Sequence, residues 1–123
     1  MKAVMALLIL LAASSVNAAD ISGTWKHVDE PGWIEIDLET GVGTVMRNDK
    51  FPERVGRKIL KDLQADKKKQ NLWRGQVYAE RAGEYKKAEV SLTEDDLMKI
   101  TVKVGFMSRT LEWKRVESVP ESP

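Results

Sequence analysis

The feature that most constrains this chain is a two-residue alternation of apolar and polar side chains, in short blocks cut off by turn-forming residues. Successive side chains of a strand point to opposite faces, so the pattern marks half-buried strands, and tight spacing between blocks marks an antiparallel sheet. Residues 33–39 are the clearest case, with Ile34, Ile36 and Leu38 on one face and Glu35, Asp37 and Glu39 on the other. A block at 22–28 precedes it across Glu30-Pro31-Gly32. Thr40-Gly41 is so short a link that 42–48 must return alongside as a hairpin.

Later blocks read the same way. Residues 72–80 place Trp73, Gly75, Val77 and Ala79 on one side, 84–92 place Ala88, Val90 and Leu92, and 97–104 place Met98, Ile100, Val102 and Val104. The last block, 108–116, turns Leu111 and Trp113 inward. Arg81-Ala82-Gly83 and Thr93-Glu94-Asp95-Asp96 are tight connections of turn-tolerant residues. The stretch from Phe51 to Lys69 is ambiguous, because Val55, Ile59 and Leu63 recur at helical spacing while Ile59, Lys61 and Leu63 fit strand alternation. We read a short helical turn or loop around 52–58 and a strand over 59–64, with a short helix through Leu63 as the alternative. Lys67-Lys68-Lys69 reads as a solvated turn.

Eight short strands in tight succession leave two exposed edges unless they close, so the expected fold is all-β: a small eight-stranded antiparallel up-and-down barrel. A two-sheet sandwich is the alternative. An eight-stranded barrel is just wide enough to be filled by side chains or to hold one small ligand. With no cysteine in the chain, no disulfide supplements the core. Apolar burial at about 1.5–3 kcal/mol per side chain must therefore offset backbone ordering at roughly 1–2 kcal/mol per residue. That favours a filled interior with a modest pocket at one mouth.

Ahead of the first strand, Lys2, an apolar stretch from Ala3 to Ala13 and the small-residue triplet Val16-Asn17-Ala18 have the order of a cleaved export signal. The stretch is shorter than the roughly 18–20 residues of a membrane-crossing helix, so no anchor is expected after cleavage. The reading is a signal peptide at 1–18, one barrel domain at 19–116 and a flexible tail at 117–123, in a periplasmic or secreted protein. Of 20 basic and 19 acidic side chains, only Lys2 leaves with the signal. The remaining charge is balanced, which argues against nucleic acid as a partner.

The landmarks Gly23-Thr24-Trp25, Gly56-Arg57-Lys58-Ile59-Leu60, Trp73-Arg74-Gly75-Gln76-Val77-Tyr78, Tyr85, and Gly105 with Ser108-Arg109-Thr110-Leu111-Glu112-Trp113-Lys114-Arg115 follow one another along the whole mature chain. In order and spacing they resemble the lipocalin-like bacterial envelope proteins grouped as domain of unknown function 2147. The resemblance implies a periplasmic barrel with no established activity. It also implies that Trp25 on the first strand packs across one end against Lys114 or Arg115 from the last. Gly23, Trp25, Trp113 and Arg115 are thus the expected barrel-closure residues.

Candidate ligand residues are fewer. Trp33 shares its strand face with three acids and is expected near a rim, either packed on long side chains or open to a ligand. Tyr78 and Tyr85 flank the Ala82-Gly83 turn and should meet across it, where with Arg74 and Arg109 they could orient a carboxylate at a barrel mouth. Cross-strand aromatic packing explains the same tyrosines without a ligand. Arg47, Lys50, Arg54, Arg57, Lys58 and Lys61 face only Asp49 and Glu53 in their segment, a basic stretch read as a solvated connection. No catalytic constellation emerges, since His27 is the only histidine. The acids lack metal-loop spacing, so neither metal nor cofactor is expected. Two functions remain: binding of a small apolar or amphipathic molecule at the mouth, or an envelope protein-interaction or structural module with a filled barrel.

Overall fold

The computed structural model describes residues 20–121. The expected signal at 1–18 and the last two residues of the expected tail lie outside the described residues. Eight strands follow in order: β1 (Gly23–His27), β2 (Gly32–Asp37), β3 (Val42–Asn48), β4 (Lys58–Ala65), β5 (Leu72–Ala79), β6 (Glu84–Glu94), β7 (Leu97–Val104) and β8 (Met107–Val116). Each pairs antiparallel with the next, and β8 returns to β1, so the sheet is a closed up-and-down barrel. The ambiguous segment resolves into a single 3-10 turn at Pro52–Arg54 followed by β4.

Alternation sets which side chains fill the cylinder. Trp25, Ile34, Ile36, Val45, Leu60, Leu63, Trp73, Val77, Ala88, Val90, Leu92, Met98, Ile100 and Trp113 are buried in one cluster. Ile21, which precedes β1, is buried with them.

One expectation of the alternation fails. Ile59, Lys61 and Leu63 do not share a face; Leu60 and Leu63 are the buried pair in β4. The register with β5 slips between Lys61 and Gln64, and Asp62 takes φ 57° there. The extra residue of this bulge resets the parity of the strand. Gln76 Nε2 holds the bulge by donating to Asp62 Oδ2 at 3.0 Å. Gly75 makes room for it, because a Cβ at that position would stand 2.7 Å from the Lys61 carbonyl oxygen and 2.9 Å from Leu63 Cδ2.

The odd-numbered strands run one way, which gives the barrel two distinct ends. At one end lie the lead-in to β1 and the β2–β3, β4–β5 and β6–β7 connections; at the other lie the β1–β2, β3–β4, β5–β6 and β7–β8 connections. At this second end the β6–β7 and β1–β8 ladders stop short of the strand tips. The β6–β7 ladder ends at Ala88 opposite Val102, and β1 follows β8 only as far as the Val28 N–H donating to the Glu112 carbonyl. The upper half of the β7–β8 hairpin is consequently free of both neighbours. Val104, expected to face inward, is 46% exposed because no strand covers it.

The segment after β8 does not continue the sheet. Arg47 Nη1 on β3 donates to the Pro120 carbonyl at 2.7 Å, placing the described part of the expected tail against the outside of the wall.

The crowding around Gly75 predicts that Gly75→Ala lowers stability by about 1–3 kcal/mol, the cost of displacing packed backbone. Chemical denaturation should show it. An unchanged midpoint would mean that the β4 bulge yields freely.

Candidate functional site

At the first end, a plug is built around Trp25. Its indole Nε1 donates to the Ile21 carbonyl at 3.0 Å, and the Arg115 guanidinium lies over its ring with Cζ 4.4 Å from the centroid. Arg115 Nη1, Nη2 and Nε donate to the carbonyls of Ser22, Asp20 and Asp95 at 2.9, 2.7 and 3.0 Å. The planar fork of an arginine suits such divergent acceptors, where an ammonium would not. Gly23 gives it passage, since a Cβ there would sit 3.2 Å from Arg115 Nη1. Parity explains why Arg115 and not Lys114 does this: Arg115 faces Trp25 across the β1–β8 ladder, and Lys114 faces Lys26 on the outer wall.

Trp113 lies one inward step further along β8, edge-on to His27 at 4.8 Å between ring centroids. It is 5% exposed, and its Nε1–H has no hydrogen-bond partner among the described residues. A buried indole donor without an acceptor is a costly vacancy. His27 Nδ1 accepts the backbone N–H groups of Asp29 and Glu30 at 3.0 and 3.1 Å, which fixes the neutral ring with its proton on Nε2. Burial pushes the His27 pKa below its ordinary value, against the pull of Glu30 and Asp29.

Tyr78 and Tyr85 do meet across their hairpin, ring centroids 5.3 Å apart in a T-shaped pair. They do so on the outer wall, because Val77 and Ala88 take the inner face of β5 and β6. Tyr85 donates its hydroxyl to the Lys58 carbonyl at 2.7 Å, and Lys61 Nζ stands 4.0 Å from its ring. The Arg57 guanidinium caps Tyr78 at 4.9 Å. Arg74 shares that wall but is bound to Asp66 and Glu89. Arg109 is on β8, opposite the inward Val102, so β7 separates it from Tyr85 on β6, and β6 and β7 separate it from Tyr78 on β5. The expected mouth cluster of Tyr78, Tyr85, Arg74 and Arg109 is therefore not assembled.

Trp33 also faces outward, yet is only 7% exposed. Its direct neighbours across the two ladders, Lys26 on β1 and Arg47 on β3, lie 5.4 and 5.0 Å from its ring and cover it. The basic stretch is likewise answered by the chain's own groups. Arg54 and Arg57 both reach Glu80, Arg47 pairs with Asp49, and Lys50 pairs with Glu30.

What sequence reasoning missed is the second end. Val28, Met46, Val55, Val104, Phe106 and Met107 are the exposed large hydrophobics among the described residues, and all lie towards that end. Met46 and Val55 border a shallow groove of about 390 Å³ shared with Asn48, Pro52 and, from the tail, Val119 and Pro120. Gly105-Phe106-Met107 carried the signal in plain view, as an apolar turn where polar residues are the rule.

Among the described residues, no three His, Cys, Asp or Glu side chains gather in a metal-binding group, and no helix is long and apolar enough to cross a membrane. Neither the protein-family scan nor the searches of curated proteins and solved structures found a match.

Arg115→Ala removes a stacked cation and strands three carbonyls, so stability should fall by roughly 2–3 kcal/mol in a denaturant titration. Arg115→Lys should recover only part of that; full recovery would show that charge alone makes the plug. For His27, the depressed folded pKa means that the unfolded chain takes up the proton first. Melting temperature should fall as pH drops below about 6.5, the ordinary histidine value, and level off below the folded pKa. His27→Asn, which keeps an acceptor but cannot titrate, should flatten that slope.

Proposed function

We propose that this chain is an exported, non-catalytic contact module whose filled barrel carries an apolar end, opposite the Trp25 plug, to another component of the cell envelope. The observation that carries this reading is the one-sidedness of the surface: the exposed large hydrophobics gather towards one end, while the interior is occupied by the chain's own aliphatic and indole side chains. Clustered exposed apolar groups mark contact surfaces, whereas scattered ones need no explanation. The leader-like start at Lys2 to Ala18 and the resemblance of the landmark order to the lipocalin-like envelope proteins support the placement outside the cytoplasm.

A second reading, the binding of a small apolar or amphipathic molecule within the barrel, is favoured by the unpartnered Nε1–H of Trp113. An acceptor on such a molecule would satisfy that donor, and desolvation of its apolar body would hold it. Tyr78 and Tyr85 have no part in this version, being turned outward.

A photo-crosslinking residue placed at Phe106, compared with one at Lys68 near the plugged end, tests the contact reading in the native host. Adducts from position 106 and none from 68 are expected, and equal labelling of both would sink it. Native mass spectrometry of the host-purified protein decides the second reading: a retained small-molecule mass that Trp113→Phe abolishes would establish it.

A further inference from the structure

We infer that the free half of the β7–β8 hairpin is an arm that inserts its apolar tip into an anionic bilayer surface. This rests on the reading of the apolar end as a contact surface and names its partner. The arm begins where the ladders to β6 and β1 stop, so its outer half is paired only within itself while β6 continues with β5. At its end Phe106 is 101% exposed, Met107 65% and Val104 46%. Val104 and Met107 face each other as the last ladder pair, and Gly105 at φ 69° turns the chain so that Phe106 leads.

Charge supplies the second half of the argument. Between Asp96 and Glu112 the chain carries no acidic residue, and its cations there are Lys99, Lys103 and Arg109. Lys99 is matched by Glu112 at 3.9 Å. Lys103 and Arg109 form no ion pair with a described residue. They sit one and two ladder rows behind Val104 and Met107, opposite Ser108 and Val102 respectively. At about 3.3 Å per row, the cations lie roughly 3–7 Å behind the last apolar pair. Interfacial segments bury their apolar groups about 5–10 Å deep, and long basic side chains reach back from there to the headgroups. Apolar tip, short step and unmatched cations are therefore stacked in the order a membrane surface presents hydrocarbon, glycerol and phosphate.

Three apolar side chains at a hairpin tip offer a protein partner little surface to hold. Val104 and Met107 share the inner face of the arm with Phe106 leading at the turn, and the outward side is polar with Lys103, Ser108 and Thr110. A partner strand pairing with the arm's edge would leave Phe106 in water. A fluid phase closes around such a tip without needing a complementary shape.

Vesicle flotation tests this with the chain purified from its own host and carrying that host's processing. One set of vesicles is phosphatidylcholine alone and the other contains phosphatidylglycerol. Binding is expected to the anionic set and to weaken as salt rises, since the cations act through a screened field. Phe106→Ser should weaken it about tenfold or more, and Lys103→Gln and Arg109→Gln about fivefold each at low salt. Gln70→Ser, in the exposed β4–β5 connection at the plugged end, should bind as the parent does. Phe106 touches nothing in the barrel, so an unchanged melting temperature for Phe106→Ser confirms that the comparison is between folded proteins. Absence of binding to anionic vesicles, or a Phe106→Ser variant that binds like the parent, overturns the inference. If vesicles are ignored while position 106 crosslinks to a protein, the bilayer assignment fails and the contact reading stands.

Discussion

The whole molecule depends on the last strand finding the first. β1 is only five residues long, yet it is hydrogen-bonded on both sides and carries the indole at the centre of the plug. Without the β1–β8 ladder, both strands would become raw edges and the cluster around Trp25 would open to water. The chain has no covalent staple to enforce that closure. Arg115 takes over the task by reaching from β8 to the carbonyls of Asp20 and Ser22 and to Asp95 in the β6–β7 turn. One side chain thus ties the lead-in, the closing strand and a neighbouring connection together. Carbonyls withdrawn from water need donors, and this guanidinium supplies several from one point.

Closure also decides where chemistry can occur. Once the inner positions are taken by indoles and aliphatic groups, polar side chains are sent to the outer wall, where they answer one another. Arg57 with Glu80, Arg74 with Asp66 and Glu89, and Lys26 and Arg47 around Trp33 are all arrangements of that kind. Exposed pairs of this sort contribute about 0–1 kcal/mol each. Asp66 shows how local the matching is: backbone N–H groups of Lys69 and Lys68 and the Arg74 side chain hold its carboxyl at about 2, far below the usual range, within one turn.

Much of this was written in the alternation. The strands, their antiparallel succession and the closed barrel followed from where apolar residues recur and from how short the links are. The β4 bulge was hidden, because an inserted residue leaves a plausible period-two pattern on either side of it. Only the Gly75 backbone opposite reveals which parity holds. Tyr78 and Tyr85 could be brought together by counting outward from their turn. Placing Arg109 beside them required a strand order in which β7 does not intervene. Trp33 could be assigned to the outer face from Glu35 and Asp37, while its cover by Lys26 and Arg47 depends on the register of two other strands. The lengths of ladders are likewise invisible in sequence, so nothing in residues 97–104 distinguished Val102, which pairs with β6, from Val104, which does not.

The hairpin that parts from its neighbours has a consequence for sequence variation. Phe106 at its tip is fully exposed, so exchanging it leaves the folding free energy nearly untouched. The scaffold and its fingertip can in that sense vary separately. Lineages carrying such a barrel are at liberty to vary the fingertip from one habitat to the next while the body stays as it is.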